Sequence, residues 1–300
     1  MEILAELFSL SVIFATLRFA TPLILGALGG LISERSGVIN IGLEGMMLFG
    51  AFAAVYGSGI TSNPWMGLIL GILAGMLLAS IHALVSVKFK ADQIISATGI
   101  NIFATGITVF LLQVLFNTAG TSPRVPRLPA WQIMDFFPFR PITYFALILV
   151  PLVWIFLYKT PWGLRIRSIG EHPQAADTLG INVNRWRFIC VVISGALAGM
   201  AGTHLSIGAG SAFVRDMSAG RGFIALAAMI FGKYNPFGAL GAALLFGYSE
   251  ALALRVDLPF IPDELFRAFP YVVTIIVLAG FIGKATPPKA IGKPYNKSGD

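Results

Sequence analysis

Asn40 and Glu44 stand four residues apart in SERSGVINIGLEGMMLFG (33–50), between two of the most apolar stretches of the chain. At that spacing they share one face of a helix. A carboxylate turned toward lipid costs several kcal/mol, so the face must look into protein or into a water-filled path. Two roles fit: Glu44 pairs with a cation such as Arg18 or Arg35 and holds helices together, or both residues are polar stations for a passing solute. Gln93, Asn101, His204 and Glu250 lie in other apolar runs and pose the same choice, since each can bond a solute or a neighbouring helix. Arg221, just before GFIALAAMIFG (222–232), is either the partner of Glu44 or an anchor at the outer surface.

Other chemistries find no support. No paired acids within the membrane, no Ser/His or Ser/Lys dyad at helical spacing and no H-E-x-x-H occurs, which argues against an intramembrane enzyme. No G-x-x-x-x-G-K-[ST] occurs, so the chain has no nucleotide site of that type. The single cysteine, Cys190, cannot form an intrachain disulfide, and His82 and His172 are isolated. Met46, Met47, Met229 and the 24 phenylalanines read as packing.

The elements that must position these residues are membrane spans. The chain has 300 residues, is 56% hydrophobic and only 12% charged, and has a mean hydropathy of +0.81. A soluble domain is about 25% charged. A span needs roughly 20 mostly apolar residues. On that rule nine spans are expected, at about 4–32, 38–58, 64–87, 93–117, 141–158, 188–209, 219–233, 236–254 and 267–283. The fold class is therefore all-α, a polytopic helical bundle with short or broken helices. MEILAELFSL has neither a basic leader nor a small-residue cleavage site, and is expected to begin the mature protein.

Lys and Arg set the orientation. The loop 158–187 holds Lys159, Arg165, Arg167, Arg185 and Arg187, and the tail from Lys284 is also basic, so both are expected in the cytoplasm. The exception is 119–140, with Arg124, Arg127 and Arg140 outside. The net charge of +7 is ordinary positive-inside bias and does not call for nucleic acid. A weak repeat matches GALGGL (26–31), MMLFG (46–50) and NPWMG (63–67) with GALAGM (195–200), AMIFG (228–232) and NPFG (235–238). Under this orientation each pair runs in opposite directions, so 20–88 and 189–254 are expected to be inverted repeats in one domain, with a solute path at their interface.

The loop 159–187 carries the clearest motif. Pro161 breaks the chain, Arg165 and Arg167 follow, and EHPQAADTLG then reads as a helix of about two turns. His172 takes the N-cap, Pro173 the first position, Glu171 lies beside the positive end, and Gly180 supplies a left-handed stop. So short a helix needs a partner to pack on. Its small Ala175 and Ala176, with Leu179, suit a groove on another protein; otherwise it is a connector between spans.

Gln174-Ala175-Ala176, three residues and Gly180 resemble the Glu-Ala-Ala-x-x-x-Gly signature of ABC importer permeases, with Gln in place of Glu. Together with SERSGVINIGLEGMMLFG, SGALAGMAG (194–202) and GRGFIALAAMIFGKYNPFGA (220–239), the chain resembles permeases of the ribose and branched-chain amino acid superfamily over about residues 20–285. It is most similar to the shorter of two paired permeases in bacterial nucleoside importers. The resemblance implies a multi-pass protein of the bacterial inner membrane. Its partners would be a second homologous permease, an ABC ATPase that alone binds ATP and Mg, and an extracytoplasmic substrate-binding protein. Arg165, Arg167, Glu171, Gln174, Ala175, Ala176, Asp177, Leu179 and Gly180 would form the coupling surface, and no cofactor would bind this chain. The same mechanism serves a simple sugar or a branched-chain amino acid. A stand-alone secondary transporter also fits inverted repeats, but has no use for a docking helix.

Overall fold

The computed structural model describes residues 9–132, 138–253 and 285–296. The expected ninth span, residue 254 of the eighth and residues 4–8 of the first lie outside the described residues, as does Lys284.

The described chain is built from α1 (Leu10–Arg35), α2 (Leu43–Thr61), α3 (Pro64–Ala83, continued by a π turn Leu84–Lys88) and α4 (Gln93–Phe116), then α5 (Pro141–Lys159), α6 (Pro161–Glu171) and α7 (Pro173–Thr178). It closes with α8 (Val183–Thr203, continued by a π turn His204–Ala209), α9 (Arg221–Phe231) and α10 (Pro236–Ala253). A two-residue antiparallel ladder, β1 (Trp131–Gln132) with β2 (Pro138–Phe139), is the exception to an all-α fold. α1 to α5 and α8 are each long and apolar enough to cross a membrane, whereas α9 is shorter.

Local chemistry fixes the helix ends. Asp92 accepts from the amides of Ile94 and Ile95 at 2.8 and 2.9 Å to cap α4, and Asn182 accepts from Arg185 at 3.0 Å to cap α8. The Asn182 cap starts α8 five residues ahead of the expected span. Pro64 and Pro141 occupy first-turn positions of α3 and α5, where a missing N–H costs nothing.

α1 is the central helix: from Ala20 to Glu34 every residue is buried. It packs against α10, α8, α9 and α5, while α3 lies along α2 and α8. Small residues permit these approaches; a Cβ at Gly50 of α2 would stand 2.6 Å from Gly199 Cα of α8. The opposite faces of α3, α4 and α5 expose Leu73, Leu77, Ile95, Ile102, Phe110 and Ile148, an apolar surface that only lipid or another apolar partner can cover.

Candidate functional site

Two features outside regular spans organise the molecule. The first is the segment between α1 and α2. Gly37 turns the chain at φ +94°, and α2 begins only at Leu43, with Gly42 as its N-cap. Seven residues of non-helical backbone, 36–42, thus lie largely inside the protein and must find partners. Ser33 Oγ donates to the Val38 carbonyl at 2.8 Å. Gln93 Oε1 accepts from the Ile39 amide at 2.7 Å, and His82 Nε2 lies 3.0 Å from the Ile39 carbonyl. Asn101 clamps both sides of the break, donating to the Ile41 carbonyl at 3.1 Å and accepting from the Gly45 amide at 2.8 Å.

This geometry corrects one expectation. Asn40 precedes α2 and does not share a helical face with Glu44, because the glycines on either side hold 37–42 out of the helix. Asn40 instead donates to Ser194 Oγ of α8 at 3.0 Å, and its Oδ1 is buried without a partner.

Glu44 turns the other way. Its carboxylate accepts from the amides of Gly220, at 2.8 Å, and Gly222, at 2.6 Å, the first donors of α9. α9 has no side-chain cap of its own, so Glu44 serves as one. Glu44 also sits in the first turn of α2. The positive ends of two helices therefore meet at one carboxylate. Only glycine fits opposite: a Cβ on Gly222 would stand 2.5 Å from Glu44 Cα. The expected pairing of Glu44 with Arg18 or Arg35 does not form. Arg35 donates to Tyr158 Oη at 3.1 Å and to the Tyr234 carbonyl at 2.7 Å. Arg221 is not the partner of Glu44 either; it pairs with Glu250 of α10. Glu44, Arg221 and Glu250 are all partly exposed, unlike the buried Asn40 and Gln93. His204, buried at the start of the π turn, bonds the Arg18 carbonyl through Nε2 at 3.2 Å.

The second feature is the loop 159–187, which holds two helices where one was expected. Pro161 interrupts the chain but then opens α6, capped by Thr160 Oγ1 accepting from the Gly163 amide at 3.2 Å. α7 follows as read from the sequence, with His172 at the N-cap, Pro173 first, and Gly180 at φ +79° past the end. The Gly180 and Ile181 amides close the turn on the Asp177 and Ala176 carbonyls at 2.8 and 3.1 Å. Ala176 does not face outward: it is buried in a small cluster with Ile169, Val183 and Tyr295. Gln174 and Ala175 are exposed, and Leu179 is 81% exposed. Trp162 and Leu164 of α6 are exposed as well, and the Arg165 guanidinium lies 5.0 Å from the centre of the Trp162 ring. Arg167 is turned inward, donating to the Leu157 carbonyl at 3.0 Å.

Sequence reasoning missed the part that joins the two features. The tail, residues 285–296, folds back on the loop rather than running free. Ala290 donates to the Gly170 carbonyl at 2.9 Å, and Gly292 to the Gly37 carbonyl at 3.1 Å. Arg187, 1% exposed, bridges the Lys293 carbonyl at 2.8 Å and the Ser36 carbonyl at 3.1 Å. Tyr295 is hydrogen-bonded to Asp177 of α7; burial first, then this carboxylate, raise its pKa above the ordinary 10. The sequence signals were an arginine at 187 and glycines at 170 and 292, none distinctive in a Gly-rich chain.

The chain is 44% identical over 304 residues to the guanosine ABC transporter permease protein NupQ of Bacillus subtilis, covering 94% of this chain and 95% of that one. It is 41% identical over 302 residues to the nucleoside ABC transporter permease protein NupC of Lactococcus lactis, with coverage of 94% and 95%. It is 34% identical over 332 residues to a putative glucose ABC transporter permease protein, TsgC13, of Haloferax volcanii, with coverage of 98% and 99%. Residues 12–278 match the family described as the branched-chain amino acid transport system / permease component. A multi-pass helical bundle with a two-helix loop and no nucleotide motif, matched over nearly its whole length, is a member of that permease family.

Proposed function

We propose that this chain is the membrane-spanning subunit of an ATP-driven importer and that its cargo is a nucleoside. The observation that carries the mechanism is the loop of α6 and α7, which leaves Trp162, Leu164, Ala175 and Leu179 uncovered outside the spans. Exposed apolar side chains with Arg165 over Trp162 suit a protein groove. The partner is an ABC ATPase, which binds ATP and Mg; a second homologous permease and an extracytoplasmic binding protein complete the assembly. Closure of the ATPase moves α6 and α7, and the tail with Arg187 passes that movement to the α1–α2 segment. Such a transition is driven by different affinities for two states.

In this reading residues 20–88 and 189–254 are inverted repeats. The packing supports it, since α3 lies on α8 as α10 lies on α1, and α2 on α8 as α9 on α1. The cargo path runs past the meeting of α2 and α9. Gln93, Asn101 and Asn40 are occupied in bracing backbone or packing, whereas Glu44, Arg221 and Glu250 keep exposed edges able to meet a solute.

Nucleoside cargo is supported by the names of the Bacillus and Lactococcus relatives; the glucose name of the Haloferax relative favours a simple sugar as the second reading. Uptake of labelled purine and pyrimidine nucleosides into energised cells, with and without the chain, tests both. Loss of nucleoside uptake that neither unlabelled glucose, ribose nor leucine competes for is expected. Unchanged nucleoside uptake with lost glucose uptake would replace the cargo and leave the mechanism standing.

A further inference from the structure

Arg18 lies about two turns inside α1, which starts at Leu10. At that depth a guanidinium turned to lipid costs several kcal/mol. No carboxylate answers it: among the described residues the ion pairs are Arg215 with Asp216 and Arg221 with Glu250. Two further cations are brought to the same place. Arg127 and Arg140 line one cavity of about 200 Å³ with Arg18, Thr143 and His204. One liquid water takes about 30 Å³, so the cavity has room for a phosphate-sized group.

The backbone builds this convergence. The Leu128 amide donates to the Ile207 carbonyl at 3.0 Å, and the Leu128 carbonyl accepts from Arg140 Nη1, which fixes Arg127 beside the π turn after α8. Burial, then the like charges of Arg127 and Arg18, lower the pKa of Arg140. Three cations that no carboxylate among the described residues pairs repel one another, and an anion relieves the repulsion.

His204 narrows the choice of anion. The Arg18 carbonyl can only accept, so Nε2 carries the ring proton and Nδ1 of the neutral ring is an acceptor. That nitrogen is buried and unpartnered. Gly208, which also lines the cavity, lies beside it; a Cβ there would stand 3.1 Å from Nδ1. A ligand that satisfies the whole cavity presents anionic oxygens to the guanidiniums and a hydroxyl to the imidazole.

We propose that this cavity binds a phosphate group that bears or adjoins a hydroxyl, held by Arg18, Arg127 and Arg140, with His204 Nδ1 accepting from the hydroxyl. Two sources share this chemistry: free hydrogen phosphate and a phosphoglycerol lipid headgroup. The charge pattern places this end of α1 outside, against the outer leaflet.

The test uses the full chain in lipid nanodiscs. Inorganic phosphate is titrated by calorimetry into discs of phosphatidylcholine, whose headgroup lacks a hydroxyl, and lipid retention is read by native mass spectrometry from discs mixing phosphatidylcholine with phosphatidylglycerol. The expected result is phosphate binding in the first arm or selective retention of phosphatidylglycerol in the second, weakened at least tenfold by Arg127→Gln and by Arg140→Gln but not by Arg215→Gln. Arg127 has no described partner to lose, so its variant keeps the fold, which an unchanged melting temperature checks. Binding of neither anion overturns the proposal, as does equal binding by Arg127→Gln. Arginine variants that weaken only the docking of an extracytoplasmic protein overturn it too and mark the cavity as a contact for that partner's carboxylates.

Discussion

The segments that lead into α2 and α9 solve the same problem in different ways. Each delivers the chain to a helix that starts inside the protein with unpaired amides. Ahead of α2, residues 37–42 are braced from several sides, by Gln93, His82 and Asn101 on neighbouring helices and by the tail through Gly292. Ahead of α9, the first amides are held by one carboxylate, Glu44, which comes from α2 itself. The first arrangement is redundant and buried, so it behaves as a rigid seat. The second rests on one partly exposed carboxylate, with only the local turn of Arg221 onto the Ser218 carbonyl beside it, so it is the less redundant seat.

Substitutions separate the two. Asn101→Ala has the largest expected effect on folding, because it strands the Ile41 carbonyl and the Gly45 amide, at about 1–3 kcal/mol for each buried group left unpaired. A lowered melting temperature of the purified chain and reduced membrane levels would show it. Gln93→Ala strands one amide and should cost about half as much. Glu44→Gln should leave membrane levels near normal, since an amide oxygen still accepts one bond, yet lower uptake at least tenfold; transport assays on membranes of matched content measure it. If Glu44→Gln instead fails to accumulate, the carboxylate is a structural seat like Asn101 and the contrast collapses. Tyr295→Phe has the smallest expected effect, about 1 kcal/mol or less, for one hydrogen bond at the edge of the tail. Its pH dependence has a definite sign. The folded pKa of Tyr295 is raised, so its contribution is intact below the ordinary value of 10 and is lost as the pH rises through the folded value. Wild type should therefore lose stability in that alkaline window, and Tyr295→Phe should lose less.

Spans were legible because twenty apolar residues in a row have few other fates. The α7 caps were legible for the same reason: His172, Pro173 and Gly180 are each unusual where they stand. α6 was missed because Pro161 reads as a breaker, although a proline also opens helices, and its apolar residues are spread too thinly to mark a span. The inward turn of Ala176 was invisible because six helical residues show no periodicity. Polar residues within spans were recognised, but Gln93 and Asn101 find their partners in backbone groups around the break at 37–42, and Glu44 finds its own in the first amides of α9; a sequence does not say which backbone groups a fold will leave unpaired. Glu44 capping a helix that starts 177 residues later is such a case.

The claim that most needs testing is that α6 and α7 couple an ATPase to the path. Ala176→Arg is a poor probe, since Ala176 is buried and the change would damage the loop itself. Leu179→Asp is the better one, because Leu179 is 81% exposed. The measurement is nucleoside uptake and ATP hydrolysis by the assembled transporter in proteoliposomes, wild type against Leu179→Asp. Uptake reduced at least tenfold, with the protein present in the membrane at normal levels and hydrolysis no longer stimulated by cargo, is the predicted result. Uptake at the wild-type rate would contradict the coupling role.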